Sequence, residues 1–366
     1  MGLNTFQTSG SSPTSGRSLA GCPVAILGFG PLGQALARRL TGPDSPLGLQ
    51  LTHICDRRAR EKSVREPESI AALNWTDRFD DLLTSDVHVI VEAVTGAEPA
   101  ADYVRAALLA GKAVVTVNKQ IIAHHGPALL TLAERQGRQL RYEGAVGGAM
   151  PIVRVLGDGL SGERLTRIDA ILNGTSNAVL SRMEEAGCGI DEAIAHACAL
   201  GYADADPSAD LDGHDAAAKL AILCGIGLGL RVLPAHVDTR TTMHVRPDDF
   251  RDARQRGGTV RQIAHAERGA NGDLTVWVAP RFVPAASLFA RTFGPGNAAI
   301  LTGRYSGETT LTGTGTGADA LAVAMLSDLV AIARDRAAIV PAPIVADPAA
   351  VRGLGEEKVV NMREAV

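Results

Sequence analysis

The chain has 366 residues, enough for about two domains with a sizeable buried core. Its composition, 46% hydrophobic and 21% charged, is close to that of an average soluble domain, and its net charge of −4 excludes a strongly basic nucleic-acid-binding protein as the first interpretation. No uncharged apolar run is long enough to span a bilayer. The five cysteines form no CxxC pair, which favours a reduced, cytoplasmic chain without a disulfide framework.

The first part of the sequence predicts a tail followed by an α/β domain. Residues 1–20 are rich in Ser, Thr and Gly and predict a disordered tail. After them, short apolar strands alternate with helices, which predicts βαβ units around a parallel sheet covered on both faces. The predicted strands are 24–27, 49–55, 87–94, 113–117 and 139–146, and the predicted helices are 34–40, 99–110 and 126–136.

The pattern changes after about residue 150 to one that is typical of an α+β domain. The predicted elements are a strand at 164–172, helices at 177–186, 191–200 and 215–230, and alternating segments at 274–283 and 298–305. The alternating segments are typical of antiparallel strands. A glycine-rich stretch at 312–317 precedes a last predicted helix at 318–334.

A glycine motif follows the first strand and opens the first helix, the context that a dinucleotide-binding motif requires. Gly28 permits the tight turn, Gly30 lets the backbone approach a pyrophosphate, and Gly33 lets helix and strand pack closely. Phe29 and Leu32 lie in the same turn. The sequence therefore predicts a Rossmann-type, doubly wound parallel sheet that binds NAD or NADP.

Several polar residues follow the predicted strands of this sheet, at the edge where ligands bind. Asp56 can accept from a ribose hydroxyl, which favours NAD, whereas Arg57 and Arg58 can pair with a 2′-phosphate, which favours NADP. The sequence leaves this choice open. Thr95 and Lys119 end later strands, and Lys119 is a candidate for a site residue.

The densest group of functional side chains precedes and opens the predicted helix at 215–230. Five aspartates occur within residues 201–215, and Asp215 and Lys219 share one helical face. An exposed pair of this kind would only stabilise the helix by a few tenths of a kcal/mol. The residues that follow are nearly all apolar, however, and a lysine on a buried helix is costly unless it is paired or catalytic. We therefore take both residues as catalytic candidates.

Five segments resemble the homoserine dehydrogenase family. They are GFGPLG at 28–33, VTVNKQIIAHHG at 115–126, YEGAVGGAMPIVRVL at 142–156, ILNGTSNAVLSRM at 171–183 and LGYADADPSADLDGHDAAAKLAIL at 200–223. The resemblance runs from about residue 22 to 335. It implies a short form of the enzyme without a C-terminal regulatory ACT domain, and hence without a threonine-sensing module on this chain.

The resemblance implies the interconversion of L-aspartate 4-semialdehyde and L-homoserine with NADP or NAD, in threonine and methionine biosynthesis. It implies a homodimer whose sheet is extended across the interface, and neither a nucleic-acid nor a membrane partner. The implied divisions are a nucleotide domain at 21–147, a substrate-binding and dimerisation domain at 148–316, a helix at 317–345 that returns to the nucleotide domain, and a tail at 346–366.

Matching positions also carry over the family's site residues. The resemblance implies that Lys219 donates and accepts the proton, that Asp215 is the second catalytic residue, and that Lys119 lies between nicotinamide and substrate. The implied cofactor contacts are Gly28, Phe29, Gly30, Leu32, Gly33, Asp56, Arg57, Thr95, Lys119 and Gly317. The implied substrate contacts are Thr175, Tyr202, Asp204, Asp215 and Lys219. An implied monovalent-cation site, suited to Na⁺, consists of Glu143, Val146, Gly148 and Met150.

Two other functions remain open at this point. Asp204 stands where the family usually has Glu, and the shorter side chain could lengthen the contact with the substrate ammonium group. This departure keeps open a related dehydrogenase of another short amino acid or aldehyde. The second alternative is a catalytically weak NAD(P)-binding regulator, against which the retention of Asp215 and Lys219 argues.

Overall fold

The computed structural model describes residues 21–43, 45–46, 48–334 and 346–354, so the predicted tail at 1–20 lies outside the described residues. The first sheet contains β1 (Cys22–Leu27), β2 (Leu49–Cys55), β3 (Asn74–Thr76), β4 (Val89–Glu92), β5 (Ala113–Thr116) and β6 (Leu140–Arg141). These strands are all parallel and lie in the order β3-β2-β1-β4-β5-β6. The doubly wound order confirms the predicted Rossmann-type fold.

Helices cover both faces of this sheet, which explains the continuous apolar strands. Val24 and Ile26 pack in one core with Leu36, whereas Ala25 and Leu27 pack in the core on the other face. Successive residues of a strand point to opposite faces, so both faces must be apolar. The helices of this region are α1 (Pro31–Thr41), α2 (Ala59–Ser63), α3 (Glu68–Ala71), α4 (Phe79–Thr84), α5 (Ala100–Leu109) and α6 (Lys119–Arg135).

The second sheet is mixed and mainly antiparallel. Its strands are β7 (Leu165–Ile171), β8 (Asp238–Thr239), β9 (Gly258–Arg268), β10 (Leu274–Pro284), β11 (Gly296–Gly303), β12 (Gly307–Thr314) and β13 (Val351–Arg352). The order is β12-β11-β7-β9-β10-β13, with β8 also paired to β10. The helices are α7 (Ile152–Arg154), α8 (Gly174–Ala186), α9 (Ile190–Ala199), α10 (Ser208–Leu211), α11 (His214–Leu223) and α12 (Pro247–Gln255). This second α+β domain agrees with the prediction.

The last helix, α13 (Ala318–Ala333), packs against α1 of the first domain. Met325 and Leu329 enter the same core as Leu36. Of the helical segment predicted at 317–345, residues 335–345 lie outside the described residues. The predicted tail is structured in part, since residues 346–354 include β13. No helix within the described ranges is long and apolar enough to cross a membrane.

Helix α6 begins seven residues before the predicted helix at 126–136, because Asn118 caps it. The Asn118 side-chain oxygen accepts the backbone N–H groups of Gln120 and Ile121 at 3.1 and 3.3 Å. This cap places Lys119 on the first turn of α6, at the end of β5. The helix start therefore faces the edge of the sheet at which ligands bind.

Two predicted elements are shorter than expected. The strand predicted at 139–146 is confined to Leu140–Arg141, and a 3₁₀ turn follows at Glu143–Ala145. The helix predicted at 215–230 ends as an α-helix at Leu223 and continues as a wider π turn. Closely spaced glycines follow both end points, and glycine disfavours regular helix and strand.

Strands β9 and β12 were not predicted from the sequence. In β9, Arg261 and Gln262 interrupt the apolar pattern, yet Arg261 is fully buried. Its guanidinium lies 2.8 Å from Glu184 and donates to the backbone oxygen of Val260 at 2.9 Å, so its charge and its donors are satisfied. Strand β12 is an edge strand rich in Thr and Gly, and Leu311 is its one apolar side chain, so it has no alternating apolar pattern.

Candidate active site

Asp215 lies at the centre of a cluster that joins the two domains. Its Oδ2 is 2.7 Å from Nζ of Lys219, one turn along α11, and its Oδ1 is 3.0 Å from Nζ of Lys119, at the start of α6. Lys219 also donates to the backbone oxygen of Leu172 at 2.9 Å. The structure thus brings together the three residues that the sequence indicated as catalytic, although they come from different domains.

The carboxylate of Asp215 is ionised despite its burial. Burial alone would raise its pKa, but the charges of Lys219 and Lys119 and hydrogen bonds from Lys219 and Asn173 hold the pKa well below its usual range. One negative charge therefore faces two ammonium groups. Two ammonium groups beside a substrate oxygen can stabilise a developing alkoxide.

Sequence reasoning missed two members of this cluster, Asn173 and Asp210. The Nδ2 of Asn173 donates to Oδ1 of Asp210 at 2.6 Å and to Oδ2 of Asp215 at 2.8 Å. Burial and the charge of Asp215 raise the pKa of Asp210, against the hydrogen bond from Asn173 and the charge of Lys219. The one available signal for Asn173 was its place between a strand and a helix, where asparagine is a preferred cap.

The predicted substrate residues lie on the α8 side of this cluster. Thr175 is buried on the first turn of α8 and donates to the backbone oxygen of Tyr202 at 2.7 Å. Tyr202 and Asp204 are exposed on the loop that precedes α10. Sγ of Cys198 contacts the backbone oxygen of Asp204 at 3.3 Å. Within the described residues, no hydrogen bond joins the Asp204 carboxylate to the lysine cluster.

The glycine turn between β1 and α1 has the shape of a phosphate cradle. Gly28 has a φ of +97°, and a Cβ there would lie 2.7 Å from the backbone oxygen of Ala93. A Cβ at Gly33 would lie 2.3 Å from the oxygen of Gly28, whereas a Cβ at Gly30 would meet no atom within 4 Å. The turn is therefore tight on the sheet side and open on the other, as a pyrophosphate at the start of α1 requires.

Asp56 at the end of β2 is held from three sides. Its Oδ2 accepts the backbone N–H of Phe29 at 2.9 Å and Nζ of Lys62 at 2.6 Å, and its Oδ1 accepts the N–H of Arg58 at 2.9 Å. Burial raises the pKa of Asp56, but these hydrogen bonds and the charge of Lys62 lower it overall. Lys62 was not predicted as a site residue, and it also donates to the backbone oxygen of Phe29 at 2.8 Å.

The other predicted cofactor residues occupy different surroundings. Arg57 and Thr95 are exposed, whereas Leu32 packs against the core beneath α1. Nδ2 of Asn118 donates to the backbone oxygen of Gly96 at 2.6 Å and so holds the loop that contains Thr95. Gly317 is exposed at the start of α13, with a φ of +105°.

The predicted cation residues form a glycine-containing turn after β6. The carboxylate of Glu143 accepts two backbone N–H groups of α7 at 2.9 Å each, so it is fixed to the start of that helix. Val146 and Met150 are fully buried, and Gly148 has a φ of +64°. Among the described residues, no group of three or more His, Cys, Asp or Glu could hold a metal ion.

Two family profiles match the chain. The profile described as the NAD-binding domain of homoserine dehydrogenase matches residues 28–143, and the profile described as homoserine dehydrogenase matches residues 151–330. A homoserine dehydrogenase of Mycobacterium leprae is 35% identical over 319 residues, which cover 86% of this chain and 72% of that relative. The chain belongs to the homoserine dehydrogenase family. The resemblance found in the sequence is thereby confirmed, and the chain is an NAD(P)-dependent oxidoreductase that acts on a CH–OH group.

Solved structures of the homoserine dehydrogenase family share the fold. A homoserine dehydrogenase from Thiobacillus denitrificans has a TM-score of 0.82 and 30% identity, with 90% of this chain and 79% of that chain covered. A hyperthermophilic archaeal homoserine dehydrogenase, solved in complex with NADPH, has a TM-score of 0.71 and 27% identity, with 85% and 97% covered. Both domains of the present chain therefore have counterparts in this family.

Proposed function

We propose that the chain interconverts L-aspartate 4-semialdehyde and L-homoserine, with Lys219 as the acid and base. The observation that carries the proposal is Asp215, which binds Lys119 of the nucleotide domain and Lys219 of the substrate domain at 3.0 and 2.7 Å. This contact requires both domains, so a substrate in the cleft between them would meet both ammonium groups.

Each residue of the cluster has a separate task in this proposal. Lys219 gives its proton to the substrate oxygen in the reductive direction and removes it in the oxidative direction. Asp215 fixes the position of Lys219, and Lys119 stabilises negative charge at the same oxygen. The turn at Gly28 and Gly30 would hold the nicotinamide dinucleotide, which supplies or accepts the hydride when bound.

The direct test is an assay of the purified chain with L-homoserine and NADP⁺ or NAD⁺, followed by the absorbance of the reduced cofactor. Turnover that depends on both homoserine and the dinucleotide supports the proposal. Turnover with another short amino acid or alcohol, and none with homoserine, would contradict it and would direct attention to Asp204.

We propose further that NADP is the preferred cofactor. Asp56 already accepts hydrogen bonds from Phe29, Arg58 and Lys62, and the ammonium group of Lys62 balances its charge, so the carboxylate repels a 2′-phosphate less than an unpaired one would. Lys62 and the exposed Arg57 place positive charge at the same strand end, which favours a 2′-phosphate. Comparison of kcat/KM for the two cofactors checks this proposal, and a preference for NAD⁺ would contradict it.

We propose that the turn of Glu143, Val146, Gly148 and Met150 binds Na⁺ through backbone carbonyls. Carbonyl oxygens are suitable ligands for hard cations, and a carbonyl that already accepts one hydrogen bond keeps a second lone pair. Thermal unfolding in sodium chloride and in a chloride salt of a bulky organic cation, at equal ionic strength, tests this site. A Tm that is the same in both salts would contradict it.

We propose a homodimer that forms through the exposed face of the second sheet. Alternate residues of its strands pack beneath α11, so Asp169, His265, Trp277 and Ile300 lie on the opposite face. His265 stacks on Trp277 with 4.7 Å between the ring centroids, and Trp277 and Ile300 remain partly exposed. A second copy of the chain would cover this row of side chains.

Light scattering of the purified protein tests the dimer. Trp277→Glu should give a monomer, whereas Tyr305→Glu, at a side chain that is 78% exposed outside this row, should leave the dimer intact. A dimer that persists in Trp277→Glu would exclude this face as the interface.

We also infer a cytoplasmic location, because all five cysteines are free thiols in the structure. Fractionation of the source cells checks this inference.

A further inference from the structure

Asn173 connects the two carboxylates of the active-site cluster. Its amide nitrogen lies 2.6 Å from Oδ1 of Asp210 and 2.8 Å from Oδ2 of Asp215, and only 4% of the residue is exposed. The same Oδ2 of Asp215 accepts from Lys219. The proton-carrying lysine and the asparagine therefore share one carboxylate oxygen.

The orientation of the Asn173 amide is determined by its surroundings. Its Oδ1 accepts the backbone N–H of Ser176 at 2.7 Å, as the N-cap of α8. A flipped amide would place its oxygen against the carboxylates of Asp210 and Asp215 and its NH₂ group against an N–H group. Each hydrogen of the NH₂ group is thus directed to a different carboxylate.

The bridge has an electrostatic consequence. Asp210 and Asp215 are both largely buried, and the charge of Asp215 disfavours an ionised Asp210. Without the amide between them, the two carboxylates would either separate or compete for Lys219. The two residues that follow β7 prevent this. The backbone oxygen of Leu172 accepts a hydrogen bond from Lys219, and the side chain of Asn173 donates to the carboxylate of Asp215.

We propose that Asn173 is a positioning residue of the reaction: its amide separates Asp210 from Asp215 and fixes the carboxylate oxygen that orients Lys219. The proposal rests on the proposed function of Lys219. It assigns no contact between Asn173 and the substrate. Its effect is on the rate of the chemical step, since a lysine that is displaced by about 1 Å loses much of its catalytic benefit.

The cap and the bridge can be separated by choice of substitution. Asn173→Ser and Asn173→Asp both keep an oxygen that can cap α8. Serine removes the NH₂ group that donates to both Asp210 and Asp215, and its single hydroxyl hydrogen on a shorter side chain cannot bridge the two carboxylates. Aspartate replaces these donors with an acceptor, so that three carboxylates would share the site unless one of them holds a proton. That proton would restore one hydrogen bond of the bridge.

The experiment measures kcat, KM and Tm for homoserine oxidation by the full chain between pH 6 and pH 10. For Asn173→Ser we expect kcat to fall roughly tenfold to hundredfold, with KM for the cofactor close to the wild-type value and Tm lowered no more than in the control variant below. For Asn173→Asp we expect kcat relative to wild type to rise as the pH is lowered, because the shared proton rebuilds the bridge.

The matched control is Asn177→Ser, four residues later on the same helix. Asn177 is buried and donates to the backbone oxygens of Thr292, Gly294 and Gly296, but it contacts neither carboxylate. This variant should lower Tm without changing the dependence of kcat on pH. A wild-type kcat in Asn173→Ser at every pH would overturn the proposal. So would an Asn173→Asp variant whose kcat follows the wild-type dependence on pH.

The failure of this proposal differs from a failure of the proposed function. If Lys219→Ala kept its turnover, the role of Lys219 itself would be wrong. If Lys219→Ala were inactive while Asn173→Ser matched the wild type, only the role of Asn173 would be wrong.

Discussion

Two aspartate–lysine pairs lie at opposite ends of the proposed ligand-binding cleft, and their surroundings differ. Asp56 and Lys62 are 2.6 Å apart at the end proposed for the adenosine of the cofactor, and Asp215 and Lys219 are 2.7 Å apart at the end proposed for chemistry. In both pairs, hydrogen bonds and the lysine charge lower the pKa of a partly or fully buried carboxylate. The two aspartate–lysine pairs alone therefore do not show which end binds the cofactor and which end carries out the chemistry.

The additional partners distinguish the two sites. Asp56 accepts two backbone N–H groups besides Lys62, so its charge is balanced by one cation and fixed to the backbone. Oδ1 of Asp215 also lies 3.0 Å from Nζ of a second lysine, Lys119, so one carboxylate pairs with two ammonium groups. The first arrangement suits the binding of a fixed anionic group, and the second suits proton transfer to an oxygen that becomes negative.

The largest expected effect follows from the loss of Lys219. Lys219→Ala should lower kcat for homoserine oxidation by roughly 10²–10⁴-fold, the usual contribution of a general acid or base, with little change in cofactor affinity. Steady-state kinetics and a cofactor titration measure the two quantities. Lys112→Ala removes a lysine that donates to the backbone oxygen of Ser85, and it serves as the control. Near-normal turnover in Lys219→Ala would refute the assignment.

A substitution of the shared carboxylate should have the next largest effect. Asp215→Asn leaves two ammonium groups without their counter-charge, and we expect kcat to fall roughly tenfold to hundredfold as they move apart. Asp56→Asn is the matched change in the other pair, and it should alter KM for the cofactor with little effect on kcat. Equal effects of the two variants on kcat would show that the pairs have the same role.

A smaller effect is expected from the lysine of the cofactor pair. Lys62→Ala removes a positive charge and one of the two hydrogen bonds to Oδ2 of Asp56, so it should shift the ratio of kcat/KM for NADP⁺ over NAD⁺ by roughly tenfold towards NAD⁺. Arg65→Ala, on the same segment but in an exposed pair with Glu61, is the control. An unchanged ratio in Lys62→Ala would show that Lys62 does not select the cofactor.

Glu92 is a buried carboxylate that has no cationic partner among the described residues. Burial raises its pKa to about 7, against hydrogen bonds from Thr116 at 2.5 Å and from the backbone N–H of Val94 at 2.7 Å. Between its ordinary value of 4.5 and about 7, the folded chain binds more protons than the unfolded chain. The contribution of Glu92 to stability is therefore complete at low pH and is lost as the pH rises through this range.

Glu92→Gln should thus have the smallest effect on activity but a measurable effect on stability. We expect the free energy of unfolding to fall less between pH 5 and pH 8 than in the wild type, by roughly 1–3 kcal/mol. Urea unfolding at the two pH values measures this difference. The exposed Glu61→Gln is the control, and a slope equal to that of the wild type in Glu92→Gln would contradict the raised pKa.

The catalytic pair was predictable because its geometry is local. Asp215 and Lys219 are four residues apart on one helix, and that spacing alone places them on one face. Asn173 was missed because its partners are distant in the sequence. Lys62 was missed because it lies in α2, six residues after Asp56 at the end of β2, so no single helix or strand repeat relates the two residues. Asn173 meets its two aspartates 37 and 42 residues later in the chain, and no local pattern contains that information.

For the fold, too, local patterns were predictable from the sequence and contacts between distant residues were not. Strands of the first sheet were predictable because burial on both faces leaves continuous apolar runs. Strand β9 was not, because Arg261 lies in its centre and its burial depends on Glu184, a residue of another element. The cofactor choice also depended on such a contact, since the sequence shows Asp56 beside Arg57 but does not show Lys62 bound to the carboxylate.

The return of α13 to the first domain has a consequence for biosynthesis of the chain. Met325 and Leu329 complete the apolar layer over Leu36, but about 180 residues separate α6 from α13. At a usual synthesis rate of about 5–20 residues per second, the ribosome takes on the order of 10–40 s to make them. During that interval the face of α1 that α13 will cover is exposed, so the nascent nucleotide domain has to wait for α13, or for a chaperone, to bury it.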